Sequence, residues 1–157
     1  MTDQQQIFWA IEAAAITHQD QKDRLDTPYV VHVARVVERC RMSIDPTVII
    51  VAWLHDVPED HSAGREWALD WLRRRGFSER VLAAVDAITR HEGEIYTDYI
   101  KRLAKDPIAF LVKNADLDDH LDPSFNRGLT DSLRERYLEA RRLLGQAYAR
   151  QEPEKRR

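Results

Sequence analysis

Between Val48 and Leu54 the chain places seven apolar residues without interruption, then runs straight into His55-Asp56-Val57-Pro58-Glu59-Asp60. A helix that is apolar on every side is stable only when other elements surround it. The residues at its end add a second demand, because one histidine and three carboxylates fall within six positions. Crowded at the mouth of a buried helix, such groups repel one another and lose hydration, and a bound cation offsets both costs. The fold has to enclose the run and bring further groups to its polar end.

The remaining segments predict helices to do this. None shows sustained period-two alternation, whereas apolar residues recur at three- and four-residue spacing. Residues 3 to 20 carry Ile7, Phe8, Ile11, Ala14, Ala15 and His18 as a core-facing stripe, and the charged stretch 19 to 26 reads as an exposed loop. Thr27-Pro28, Asp45-Pro46, Asp106-Pro107 and Asp122-Pro123 share an acceptor-then-proline form that announces helix starts. The second helix has Val30, Val33, Val37 and Cys40 as its seam, and the third, from Pro46 to about Val57, is the central one. Pro58 ends or kinks it and leaves Glu59 and Asp60 on the next turn or loop. Residues 62 to 75 follow, using Trp67, Leu69 and Leu72 with Gly76 as cap, and then a helix capped by Ser78 with Val81, Leu82, Val85 and Ile88 inward. A short helix carries Tyr96, Tyr99 and Leu103, and residues 107 to 121 bury Ile108, Leu111, Val112 and Ala115. Thr130 or Asp131 opens a long charged helix with Leu133, Tyr137, Leu144 and Ala147. The expected fold is all-α, a compact bundle of about seven or eight helices forming one domain over residues 1 to 150, with 151 to 157 a disordered tail.

Composition narrows the function classes. A formal net charge of -3 supplies no global basic field, so no nucleic-acid partner is expected and an anionic ligand has to be attracted locally. The single cysteine, Cys40, excludes an internal disulfide and a cysteine-rich zinc site, which suits a reducing cytoplasm. Residues 1 to 6 lack the layout of a signal peptide, and no apolar run approaches the ~20 residues of a membrane span. Neither export nor a membrane partner is expected.

A transition-metal site needs ligands that converge from different helices, and His55 with Asp56 supplies one nitrogen and one oxygen. His32, within Tyr29-Val30-Val31-His32, and Asp116, within Lys113-Asn114-Ala115-Asp116, are the candidates for two more. Taken singly, His32 reads as an interior histidine, and Asp116 can simply pair with Lys113 one turn earlier. Taken together with Glu59 and Asp60 they read as a site.

In their order, Pro28-Tyr29-x-x-His32, His55-Asp56-x-x-Glu59-Asp60 and Lys113-x-Ala115-Asp116 resemble the HD-domain metal-dependent phosphohydrolases. The chain looks most like the hydrolase domain of the RelA/SpoT group and the single-domain small alarmone hydrolases. His18-x-x-Gln21, Thr89-Arg90 and Tyr96-x-x-Tyr99 fit the same pattern, and the similarity covers roughly residues 5 to 122. The resemblance implies a manganese ion held by His32, His55, Asp56 and Asp116, although the donor set also admits another divalent transition metal such as iron or zinc. It also implies that Glu59 or Asp60 orients the attacking water or takes its proton. The implied reaction removes the 3′-diphosphate of guanosine tetraphosphate or pentaphosphate as pyrophosphate, leaving GDP or GTP. Lys22, Arg24 and Lys113 are the candidate phosphate contacts, and Tyr96, Tyr99 and His120 complete the substrate-binding candidates. Tyr96 and Tyr99 also read as helix packing. The chain departs from the family pattern at Asp20, Asp23 and Asp26, and has His120 where the family tends to have asparagine. Three alternatives therefore stay open: an adenosine alarmone or other 3′-phosphorylated nucleotide, a nucleoside monophosphate, and a nucleotide-binding sensor without turnover.

Overall fold

The computed structural model describes residues 1 to 126 and 128 to 150, so the expectation of a disordered tail at 151 to 157 lies outside the described residues. Among these residues the order is α1 (Asp3–Thr17), α2 (Val30–Cys40), α3 (Pro46–Leu54), α4 (Val57–Asp60), α5 (Arg65–Arg75), α6 (Glu79–Ile88), α7 (Tyr96–Leu103), α8 (Pro107–Leu121) and α9 (Asp131–Ala149). Eight of these helices run for eight residues or more, and α4 is a single four-residue turn. The described residues are all-helical in their regular structure, as their periodicity implies.

The apolar run is the axle of the bundle. Helices α1, α2, α6 and α8 all pack on α3, α9 covers α7 and α8, and α5 closes over α4 and α6. Ile50 and Leu54 are fully buried. Each such side chain contributes roughly 1.5–3 kcal/mol relative to an exposed one. The start of α3 is set locally: Asp45 Oδ1 accepts from the Thr47 N–H at 3.0 Å, and Pro46 takes a first-turn position where no N–H is needed. Asp106 repeats the device for α8, accepting from Ile108 and Ala109 N–H at 2.9 and 2.8 Å. Ser78 and Thr130 cap α6 and α9, and Gly76 ends α5 at φ 88°, in the left-handed region that favours glycine.

Five local expectations are corrected. Thr27-Pro28 does not start α2, which begins at Val30 with Tyr29 before it. Instead Asp23 Oδ1 accepts from the N–H groups of Leu25 and Thr27, at 2.8 and 2.9 Å, and folds this stretch into a loop. Asp122 ends α8 and starts no helix. The buried stripe of α1 is Gln6, Ala10, Ala13 and Ala14, while Phe8 is 62 % exposed. Small alanines let α1 approach α3 closely, and Gln6 Oε1 accepts from the Ser78 N–H at 2.9 Å, which explains a glutamine facing inward. Finally, α3 ends at Leu54, ahead of Pro58, which sits comfortably in the first turn of α4. His55 and Asp56 occupy the turn between the two helices. Trp67 and Leu111, expected inside, are about half exposed.

Candidate active site

The end of α3 delivers His55 to the centre of the bundle, the first turn of α2 delivers His32, and the middle of α8 delivers Asp116, all three buried. Both imidazoles are oriented through Nδ1. That of His55 donates to the carbonyl of Ala52 at 2.8 Å, and that of His32 donates to Asp119 Oδ2 at 2.8 Å. Each ring therefore leaves Nε2 as the atom that faces the cluster, the arrangement that second partners impose on metal-binding histidines. His32 Nε2, His55 Nε2 and Asp116 Oδ1 are buried without a hydrogen-bond partner among the described residues. The ligand atoms of these three residues lie within 4.8 Å of one another. Three orphaned acceptors converging on one point, two of nitrogen and one of oxygen, fit a divalent transition metal ion.

Asp56 stands at the rim of this trio. Its Oδ2 is 3.0 Å from His55 Nε2 and 3.8 Å from His32 Nε2, and it accepts a 2.7 Å hydrogen bond from the Tyr29 hydroxyl. Lys113 Nζ donates to Asp116 Oδ2 at 2.8 Å, so the pairing expected from their spacing exists and leaves the other carboxylate oxygen free. His120 Nε2 approaches that other oxygen to 3.1 Å without the alignment of a hydrogen bond.

The electrostatics follow from crowding. Burial opposes charge on His32, yet the neighbouring carboxylates of Asp116 and Asp119 outweigh this and push the ring up to about 10, so a metal ion would take the place of the Nε2 proton. Burial likewise opposes charge on Asp116, but the Lys113 ammonium holds its carboxyl well below the usual carboxylate range. Glu59 and Asp60 move the other way: burial raises both above their ordinary values, with Asp56 adding to the effect. A carboxylate raised in this way is a better proton acceptor. Glu59 Oε1 accepts from the Arg90 N–H at 2.7 Å, and Asp60 Oδ2 accepts from Gln21 Nε2 at 3.0 Å.

A pocket of about 330 Å³ opens beside this cluster, and Lys22, Arg24, His120, Tyr29 and Tyr137 are among its walls. The Lys22 ammonium is engaged by Asp26 Oδ1 at 2.7 Å. The His120 ring lies between those of His32 and Tyr137, each centroid 4.7 Å away. Tyr96 is half-buried beside Arg90. Tyr99 is corrected as a substrate contact: it is 3 % exposed and its hydroxyl donates to the Ile88 carbonyl at 2.5 Å, so it packs α7 onto α6.

Sequence reasoning missed Asp119, which is fully buried and accepts from His32, from Arg35 at 2.9 Å and from Arg39 at 3.4 Å. Its signal was present, since Asp116 and Asp119 are one turn apart on an apolar helix and share a face. The motif His18-x-x-Gln21 gives no contact by itself, and in the fold His18 Nδ1 donates to Gln21 Oε1 at 2.7 Å. That contact becomes visible only once the loop after α1 folds back.

No family model matches the chain. A guanosine-3′,5′-bis(diphosphate) 3′-pyrophosphohydrolase of Aquifex aeolicus is 31 % identical over 127 residues, covering 75 % of this chain and 17 % of that protein. A GTP pyrophosphokinase of Streptomyces coelicolor is 30 % identical over 121 residues, covering 71 % of this chain and 14 % of that protein. The chain thus spans less than a fifth of the length of these curated relatives. Among solved structures, a metazoan ortholog of SpoT that hydrolyses ppGpp superimposes with a TM-score of 0.72 at 28 % identity, covering 91 % of this chain and 85 % of that one. No helix among the described residues is long and apolar enough to cross a membrane.

Proposed function

The chain belongs with the RelA/SpoT-type hydrolase domains, and from that premise we propose that it hydrolyses the 3′-diphosphate of guanosine tetraphosphate or pentaphosphate. Water adds to the phosphorus next to the 3′ oxygen and the P–O3′ bond breaks. Pyrophosphate leaves, and the 3′ oxygen takes a proton to become the hydroxyl of GDP or GTP. The observation that carries the reading is the convergence of His32 Nε2, His55 Nε2 and Asp116 Oδ1, three buried orphan atoms, beside two carboxylates raised by burial.

His32, His55 and Asp116 would hold the metal with Asp56 at its edge, manganese being the ion proposed. When bound, a divalent ion supplies positive charge that polarises the phosphoryl group and makes water more acidic. The protein's own residues do the rest. Glu59 and Asp60 orient the attacking water and accept its proton. Each keeps one carboxylate oxygen pinned, to the Arg90 N–H and to the Gln21 amide, so that the other can face water. Tyr29 fixes Asp56 against rotation, since its hydroxyl donates to the oxygen nearest the histidines. Arg24, which has no ion pair among the described residues, and His120 line the pocket where the nucleotide would lie, with Lys22 at its rim. Lys113 faces Asp116 and neutralises it, and its remaining donors are available to a phosphate. Tyr96 is left as a flanking aromatic.

Incubating manganese-loaded protein with guanosine 3′,5′-bis(diphosphate) is expected to give GDP and pyrophosphate in equal amounts. No pyrophosphate at high protein concentration overturns the reading. Faster turnover of an adenosine 3′-diphosphate would move the base assignment, and orthophosphate as product would point to a nucleotidase.

A further inference from the structure

Asp60 is held by a two-residue relay that the reaction itself does not require. His18, at the end of α1, is 1 % exposed, and its Nδ1 lies 2.7 Å from Gln21 Oε1. Gln21 Nε2 in turn lies 3.0 Å from Asp60 Oδ2. The polarity of this chain is determined. An amide oxygen facing His18 requires hydrogen on Nδ1, and the same amide then has only N–H left to offer the carboxylate. The reverse amide would set oxygen against an ionised carboxylate and nitrogen against an N–H.

Gln21 is clamped in its backbone as well. Its N–H donates to the His18 carbonyl at 3.2 Å, and its carbonyl accepts from the Tyr29 N–H at 2.8 Å. Tyr29 is also the residue whose hydroxyl holds Asp56 at 2.7 Å. One loop, running from His18 to Tyr29, therefore pins both carboxylates, and Asp56 and Asp60 are one helical turn apart with the Asp60 N–H on the Asp56 carbonyl at 3.0 Å.

We propose that His18 and Gln21 are positioning residues that commit Asp60 Oδ2 and so present Oδ1 alone to the water and phosphate. The Asp60 side chain is 32 % exposed and Oδ1 has no hydrogen bond among the described residues, so this oxygen is the one that can reach a ligand. The role rests on the proposed hydrolysis for its meaning and on the geometry for its existence, and the two are tested separately.

The first measurement is nitrogen-15 NMR of the free protein. His18 should show the Nδ1–H tautomer, and the Gln21 side-chain amide should exchange with solvent about tenfold more slowly than those of exposed Gln4 and Gln19. Asp60→Ala should remove that protection, and equal exchange in parent and variant overturns the relay. The second is steady-state kinetics with metal content measured alongside. Gln21→Met should lower kcat about tenfold to a hundredfold, with KM and bound metal unchanged, as expected for a misplaced reacting group. His18→Leu should match it, whereas His18→Asn, whose amide can donate from the same place, should recover most of the loss. Parental kcat in Gln21→Met, a loss confined to KM, or no difference between the two His18 variants overturns the positioning role. If the parent releases no pyrophosphate, the proposed hydrolysis falls, and the exchange data still decide the relay.

Discussion

Asp119→Asn separates what holds the fold from what shapes the metal site. The carboxylate is fully buried and every lone-pair direction is used: Oδ2 accepts from His32 Nδ1 at 2.8 Å and from Arg35 Nη2 at 2.9 Å, and Oδ1 accepts from Arg35 Nε at 2.9 Å with Arg39 Nε at 3.4 Å. The asparagine amide has the same shape, but one of its two ends carries N–H groups. Whichever end that is, donor meets donor, because all the partners are donors. Both hydrogen bonds at that end are lost, the less costly case being Oδ1, where the bond from Arg35 Nε at 2.9 Å contributes roughly 1.5–3 kcal/mol and the 3.4 Å contact from Arg39 adds little. The two arginines are partly exposed and can turn to water, so the full cost of a stranded buried charge is not incurred. A total of about 2–3 kcal/mol corresponds to a fall in Tm of roughly 4–12 °C for a chain of this size. The second effect is on His32, whose Nδ1–H exchanges an ionised acceptor for at best a neutral amide oxygen, so its tautomer and the aim of Nε2 are held less firmly. Mutation of such a partner weakens metal binding by about 10–100-fold. Denaturant titration of chelated protein reads the first effect, and competition against a fluorescent chelator reads the second. Parental metal affinity in a destabilised variant would refute the orienting role, and unchanged stability would refute the account of Asp119 as a buried anchor.

Asp116→Ala should abolish metal binding measured by mass spectrometry, whereas Glu59→Gln should keep the metal and lose turnover by about 10²–10⁴-fold, the range for a missing proton acceptor. Tyr99→Phe should cost about 1 kcal/mol in denaturant stability, through the bond to the Ile88 carbonyl, and leave KM unchanged, since the ring packs and does not bind. Glu94 accepts from Arg102 at 2.7 and 2.8 Å, and this contact holds its carboxyl down at about 2, below the ordinary 4.5. A depressed folded-state value means that the unfolded chain binds the proton first on acidification. Its stabilisation is therefore complete above about pH 4.5 and is lost as pH falls through about 2, so Glu94→Gln should flatten the acid limb of the urea stability curve over that window and leave a constant loss above it.

What the sequence revealed divides along the range of the interactions. Asp45-Pro46 and Asp106-Pro107 could be read because a cap acts over three residues and needs no partner elsewhere. Thr27-Pro28 has the same form and fails, because Asp23 captures the backbone N–H of Thr27 before a helix can start, and dipeptide chemistry does not reveal which acceptor wins. The phase of α1 was misread for a related reason. Large apolar residues argue for burial, but close approach to α3 favours the alanine stripe and leaves Phe8 in water. The metal-site candidates were legible because a carboxylate inside an apolar helix states its own need for a partner, and His32, His55 and Asp116 answer one another. Asp119 made the same statement one turn away and passed unread, since its partners Arg35 and Arg39 lie about eighty positions earlier in the chain. The same division explains the loop before α2. Its charges look like solvated surface in isolation, yet Gln21 and Tyr29, placed at its two ends and joined through their backbones, hold the two carboxylates whose spacing the proposed chemistry depends on. A polar loop that contacts a carboxylate of the cluster at both ends is part of the site, and that inference needs the fold.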